Sequence, residues 1–133
     1  MTAAPTLTVL LPICNNAATV QQTVASILAQ TFADFELLLI DDASTDASPD
    51  LARALHDQRI IFVRNPERLE LTRTLNKGLA LARAPFIARI DADDLCLPER
   101  FEKQLAFLQN RPEIAVVGSF VQKFSDDAAT LPP

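Results

Sequence analysis

The densest chemistry in the chain lies in nine residues, Phe86-Ile87-Ala88-Arg89-Ile90-Asp91-Ala92-Asp93-Asp94. Branched and aromatic side chains, the composition of a buried strand, run into three carboxylates within four positions. If the chain stays extended from Asp91 to Asp93, those two side chains share one face, because side chains alternate along a strand. Two ionised carboxylates about 5 Å apart repel by about 3 kcal/mol at an effective dielectric of 20. A hard divalent cation between them removes that cost, and Mg²⁺ held by one or two carboxylates commonly brings substrate phosphates with it. The alternative is a solvated acidic turn in which Asp93 or Asp94 starts a helix. Whether other polar residues reach the same place decides between the two.

The elements that must position this cluster alternate between strand and helix. Residues 7–13 form an apolar strand, followed by Asn15 and Asn16 as N-cap residues of an amphipathic helix over 17–30 with Val20, Val24, Ile27 and Leu28 at helical spacing. A second strand over 35–40 ends in Asp41 and Asp42. Ser48 caps a short helix that has Pro49 at its first position and reaches about His56. A third strand covers 60–63, a polar loop 64–70, and a third helix 71–83 carries Leu71, Leu75, Leu79 and Leu81. The fourth strand, 86–90, leads to a fourth helix that starts at Pro98, buries Phe101, Leu105 and Leu108, and ends at Pro112. A fifth strand is expected over 114–117, continuing through Phe120, Gln122 and Phe124. The expectation is one domain over 1–125 and a loose tail over 126–133. The fold class is α/β, a mostly parallel sheet with helices on both faces. Ligands in such sheets sit beyond the carboxyl ends of the strands. Asn15-Asn16, Asp41-Asp42 and Asp91-Asp93-Asp94 stand at three such ends, which favours a site over an acidic turn.

Composition narrows the function. The 133 residues are 49% apolar and carry a net charge of −5, which suits a globular domain and argues against nucleic acid as a partner. Two glycines, Gly78 and Gly118, leave no room for a Gly-rich phosphate loop. Cys14 and Cys96 with the single His56 make no zinc pattern, and the two cysteines suit free thiols in a reducing cytosol. His56 reads as a surface or capping residue, Cys14 as a small core residue, and Ser44 lacks the flanking glycines of a nucleophile elbow. No apolar run approaches the ~20 residues of a membrane helix.

The pieces Val9-Leu10-Leu11-Pro12-Ile13-Cys14-Asn15, Leu39-Ile40-Asp41-Asp42-Ala43-Ser44-Thr45-Asp46, Leu75-Asn76-Lys77-Gly78 and Phe86–Asp94 resemble, in order and separation over residues 7–124, the nucleotide-diphospho-sugar transferases of glycosyltransferase family 2. The resemblance implies a Rossmann-like GT-A nucleotide-binding half that uses a nucleotide-sugar donor with Mg²⁺ or Mn²⁺. It implies that Pro12 and Ile13, with Asn15, line the base and ribose pocket. Asp42 would accept a hydrogen bond from a uracil N–H, pointing to UDP-sugars. Asp91 would sit near ribose and metal, Asp93 on the metal, and Asp94 would brace the loop. Asn76 and Gly78 are implied to be helix-packing positions.

The chain departs from the family pattern at three points. Glu70 stands near a position where glycine is frequent, Cys14 where an aromatic precedes Asn15, and Leu75 where Arg is frequent, with Arg73 as its nearby substitute. Family catalytic domains continue into a segment that carries the acceptor site and the catalytic base, so the expectation is a donor-binding half, inactive alone in transfer, with inverting chemistry. Asp126 and Asp127 read as solvated tail residues rather than that base. The acceptor, whether sugar, lipid or protein, stays open. A cytoplasmic protein is expected, with attachment to the inner face of the membrane left open, and a homodimer through the segment near 114–124 would cover an exposed edge. Two other readings remain: a receiver-like Mg²⁺-binding phosphorylation module and a non-catalytic nucleotide-binding module.

Overall fold

The computed structural model describes residues 3–125 of the chain. Its elements, in chain order, are β1 (Leu7–Ile13), α1 (Val20–Leu28), β2 (Phe35–Asp41), α2 (Ser48–Arg53), β3 (Ile60–Arg64), α3 (Glu70–Leu81), β4 (Phe86–Arg89) and α4 (Arg100–Gln109). The strands form one sheet in the order β3-β2-β1-β4, and every pair is parallel. Parallel pairing requires a crossover between strands, which the helices supply.

Strands β1 and β2 are central and apolar on both faces, as strands covered on both sides must be. On one face Val9, Leu11, Ile13, Leu37 and Leu39 pack with Val20, Val24 and Ile27 of α1, Ala52 of α2, and Phe101 and Leu105 of α4. On the other, Leu10, Leu38 and Ile40 meet Val63, Leu75 and Ala82, which seats α3 there. The far end of α3 is pinned by a buried carboxylate. Glu36 accepts the Thr8 hydroxyl at 2.7 Å, the Arg83 amide at 2.9 Å and Arg83 Nε at 2.6 Å. A buried charge is tolerated when it is paired and hydrogen-bonded in this way.

Because β4 returns to the opposite side of β1 from β2, the winding reverses between β1 and β4. Open α/β sheets bind ligands in the crevice beyond the carboxyl ends at such a reversal. The same order removes the receiver-like reading, since flavodoxin-like sheets place β3 beside β1, where β4 lies here.

The structure corrects several expected boundaries. Helix α1 starts at Val20 because Asn15 and Asn16 do not cap it. Asn16 Oδ1 accepts the Cys14 amide at 2.8 Å, and Asn15 Oδ1 accepts the Thr45 amide at 2.9 Å. Ser48 is the first residue of α2 rather than its cap, and its amide donates to Asp46 Oδ1 at 2.9 Å. That helix closes at Arg53, before His56. The fifth strand is absent: residues 112–125 carry no strand. Ala115, Val116 and Val117 face the outer edge of β4 and helix α4 across a groove of about 480 Å³, so no ladder hydrogen bonds form. Alternating apolar residues supply a strand's side chains, but only a partner within hydrogen-bonding distance makes the strand. Val116, Phe120, Val121 and Phe124 are exposed as a result. The expected loose tail over 126–133, with Asp126 and Asp127, lies outside the described residues. Among those described, no helix is long and apolar enough to cross a membrane.

Candidate functional site

The acidic segment after β4 is a turn and not an extended strand. The Asp94 amide donates to the Asp91 carbonyl at 3.0 Å. Helix α1 holds this turn from behind. Thr23 Oγ1 donates to the buried Ala92 carbonyl at 2.9 Å, and Ser26 Oγ accepts the Cys96 amide at 3.1 Å. Gln30 continues the clamp, donating Nε2 to the Leu97 carbonyl at 2.7 Å and accepting the Phe101 amide at 3.1 Å. With Ala92 turned inward, Asp91, Asp93 and Asp94 face outward. Burial raises the Asp94 carboxyl above its ordinary value, the charges of Asp93 and Asp91 push the same way, and Arg100 opposes them.

Asp41 and Asp42 diverge because they are neighbours at a strand end. Asp41 is fully buried, lies in register with Arg64 and pairs with its Nε at 3.3 Å, so it ties β2 to β3. Asp42 points toward α3. Its Oδ1 accepts Asn65 Nδ2 at 2.9 Å and the Leu69 amide at 2.7 Å, and its Oδ2 accepts the Glu70 amide at 2.9 Å. Asn65 is itself fixed, since its Oδ1 accepts Lys77 Nζ at 2.7 Å. Burial would raise the Asp42 carboxyl, but the bonds from Leu69, Asn65, Glu70 and Thr74 outweigh it and hold the group below its ordinary value. Asp42 therefore anchors the 65–70 loop that walls the crevice.

Asn15, Ala43 and Glu70, with φ of 56°, 55° and 69°, hold left-handed backbone without being glycine. All three stand at the rim. Such strained positions persist where surrounding structure over-determines them, and they cluster at binding sites.

A cleft of about 310 Å³ opens here, lined from the end of β1 by Pro12, Ile13 and Cys14, from just beyond β2 by Asp42, from α3 by Glu70, Leu71 and Thr74, and from the acidic turn by Asp91, Ala92 and Asp93. Arg68 and Asn16 complete the wall. The volume is at the low end of small-molecule sites. Of the residues singled out from sequence, Pro12, Ile13, Asp42, Asp91 and Asp93 meet in this cleft. Asn15 does not line it; its side chain knits the ends of β1 and β2 together. Arg73 is exposed on α3 and also lies off the cleft. Sequence reasoning passed over Arg68, Thr74 and Asn65. The Asn-Pro pair at 65–66, directly after a strand, was the available signal for the last.

Among the described residues no three His, Cys, Asp or Glu side chains form a ready metal cage. The acidic turn brings two carboxylates, Asp91 and Asp93, to the cleft that Asp42 and Glu70 also line. Hard oxygen ligands in that number fit Mg²⁺ or Mn²⁺ completed by phosphate oxygens and water.

A family model described as Glycosyl transferase family 2 matches residues 8–132. The Bacillus subtilis protein EpsE, named as a glycosyltransferase, is 37% identical over 95% of this chain and 46% of its own length. The amylovoran biosynthesis glycosyltransferase AmsE of Erwinia amylovora is 32% identical over 80% of this chain and 41% of its own. Among solved structures, Staphylococcus aureus TarS 1–349 in complex with UDP-GlcNAc aligns with a TM-score of 0.75 at 21% identity, over 80% of this chain and 32% of that one. At that identity the likeness is one of fold. The mannosyltransferase PcManGT from Pyrobaculum calidifontis, in complex with GDP-Man and Mn²⁺, aligns with a TM-score of 0.72 at 28% identity, over 92% of this chain and 37% of that one. The chain spans less than half the length of each of these proteins.

Proposed function

Since the chain belongs to glycosyltransferase family 2, we propose that its cleft holds the nucleotide-sugar donor, with the base beside Asp42 and the 68–71 segment and the diphosphate beside Asp91 and Asp93. The observation that carries this reading is the convergence of Asp42, Asp91 and Asp93 on one cleft at the carboxyl ends of β2 and β4. Asp42 is far from Asp91 and Asp93 in sequence, and the sheet order brings them together.

Each residue has a task set by its surroundings. Pro12 and Ile13 give the base and ribose an apolar wall. Asp42 Oδ2 accepts one amide from the protein, and a carboxylate oxygen can accept a second donor, such as the N–H of uracil. UDP is thus the favoured nucleotide. PcManGT holds GDP-Man, so the base is a point to test and not a family constant. Asp91 and Asp93 would hold Mg²⁺ or Mn²⁺ together with the diphosphate. When bound, the metal would supply Lewis-acid stabilisation of the departing nucleoside diphosphate. Arg68 lines the same cleft and offers a cation to phosphate oxygens. Asn15 acts indirectly, by fixing the β1 and β2 ends, and Arg73 has no geometric tie to the cleft.

Transfer needs a base within hydrogen-bond reach of the acceptor hydroxyl. Of the carboxylates in the cleft, Asp42 is committed to the loop and Asp91 and Asp93 to the nucleotide and the metal, while Glu70 lies 3.9 Å from Arg68 Nε in the cleft wall. The chain by itself is therefore expected to bind donor without transferring sugar, and inverting transfer would need a base in addition to these groups. The acceptor is a sugar, lipid or protein met on the cytoplasmic side, and self-association through the segment near 114–124 belongs to the same reading. The test is calorimetric titration of UDP, GDP, CDP and dTDP with and without Mn²⁺. The expected result is Mn²⁺-dependent binding with UDP tightest. Equal metal-independent affinity for all four, or none for any, overturns the proposal.

A further inference from the structure

Arg89 closes β4, where it is in register with Leu10 of β1, and stands two residues before Asp91. Its Nη2 lies 3.2 Å and its Nε 3.4 Å from Asp91 Oδ1. Both nitrogens converge on one oxygen, which leaves Oδ2 for another ligand. The backbone beneath is also held, because Arg100 Nη2 donates to the Arg89 carbonyl at 3.2 Å. Arg100 is set in turn by Gln104 Oε1 at 3.2 Å and Cys96 Sγ at 3.3 Å. A chain of contacts thus runs from α4 through the end of β4 to the first carboxylate of the acidic turn.

Resting on the donor-site reading above, we infer that Arg89 is the positioning residue of the metal site, orienting Asp91 so that Oδ2 is presented to the cation. An outer cation on a ligating carboxylate does two things: it removes the side chain's rotational freedom, and it offsets repulsion from the neighbouring carboxylates Asp93 and Asp94. The Arg89–Asp91 pair is half exposed on both sides. Exposed pairs contribute only about 0–1 kcal/mol to stability, so removing the guanidinium leaves the fold in place. Removing the partner of a metal ligand typically lowers metal affinity by about 10–100-fold, and half exposure puts this case near the lower figure.

The test is a double-mutant cycle on the 133-residue chain, read by calorimetry with UDP and GDP in the presence and absence of Mn²⁺, and by thermal melting. Arg89→Gln should weaken Mn²⁺-dependent binding about tenfold, leave Mn²⁺-free binding within about twofold, and keep the melting temperature. Arg89→Lys should recover part of the loss. In an Asp91→Asn background, Arg89→Gln should change binding by less than about twofold, because the group through which it acts is gone. Equal losses in both backgrounds would show that Arg89 meets the ligand directly and would overturn the inference. So would unchanged Mn²⁺-dependent binding in a folded Arg89→Gln protein, with the donor-site reading intact. Absence of binding by the unsubstituted chain would remove the donor-site reading, and this inference with it.

Discussion

Asp42 Oδ2 accepts the amide of Glu70 at 2.9 Å, and Glu70 offers that amide from a left-handed backbone at φ 69°. The bond sets the entry into α3, whose own N-cap residue, Leu69, supplies no side-chain cap. Glycine holds this conformation without steric cost, whereas an L side chain gives up about 1–2 kcal/mol. The chain keeps the bond and carries the strain.

Replacing Glu70 with Gly or Ala separates backbone strain from charge. Both variants lose the carboxylate, but only Gly relieves the left-handed strain, at an entropic cost of about 0.5–1 kcal/mol relative to Ala. Glu70→Gly should therefore be more stable than Glu70→Ala by about 0.5–1 kcal/mol in urea titration. An Ala variant as stable as the Gly variant would mean that residue 70 leaves the left-handed region without penalty, and that the Asp42 anchor is not what holds it there.

Acid should weaken the fold in a defined window. Burial works to raise Glu36, yet the Thr8 hydroxyl and the Arg83 amide and guanidinium hold it below its ordinary 4.5, and Asp42 is held below 3.8 by its own bonds. A carboxyl depressed in the folded state adds stability above its unfolded pKa and loses it as pH falls through the folded value. Urea midpoints should be flat from pH 7 to about 5, then decline below about 4.5 and further below 3.8. Glu36→Gln should be less stable at pH 7 and show a shallower decline. A Glu36→Gln protein with an unaltered acid limb would place the titrating groups elsewhere.

Asp93→Asn separates metal binding from folding. The side chain is exposed and lines the cleft. Its loss should cut Mn²⁺-dependent diphosphate affinity by about tenfold or more, on the order of 1.4 kcal/mol. Relief of repulsion with Asp91 and Asp94 should leave the melting temperature unchanged or slightly raised. Unfolding of the variant, with an unaltered metal response in the folded fraction, would make Asp93 a structural residue.

The parallel sheet was legible because buried strands read as continuous apolar runs, and β1 and β2 follow that rule closely; β4, expected to be buried, is a four-residue edge strand with Ile87 and Arg89 exposed. The polar strand ends were legible for the same reason: an acid directly after such a run has only the sheet rim to occupy. Partners between loops were not legible. Asn15 and Asn16 have the chemistry of helix caps, but their side-chain oxygens accept the Thr45 and Cys14 amides instead. Asp42 gave no sign that Asn65, Leu69 and Glu70 would occupy most of its acceptor capacity, since those donors come from a loop 23 to 28 residues further on. The expected strand over 114–117 failed on the same ground, because side-chain alternation does not supply a hydrogen-bonding partner.

Gly78 gives a test of how α3 sits on the sheet. A Cβ at this position would come within 2.9 Å of Ile40 Cδ1 and 3.0 Å of Leu10 Cδ2. Helix propensity alone would favour Ala over Gly by about 1 kcal/mol, while overpacking costs about 1–3 kcal/mol. The contacted atoms are side-chain ends that can turn, but both belong to the small buried cluster under α3, and close-packed interiors leave few voids to turn into. Overpacking should win, and Gly78→Ala should destabilise by about 1 kcal/mol in urea titration. Ile40→Val deletes the Cδ1 that the new methyl meets and alone costs about 0.5–1.5 kcal/mol. The double variant should be more stable than the sum of the two by about 1 kcal/mol, because each change makes room for the other. Additivity to within about 0.3 kcal/mol would mean that α3 does not rest on Ile40 at Gly78, and that the wall of the cleft is seated differently.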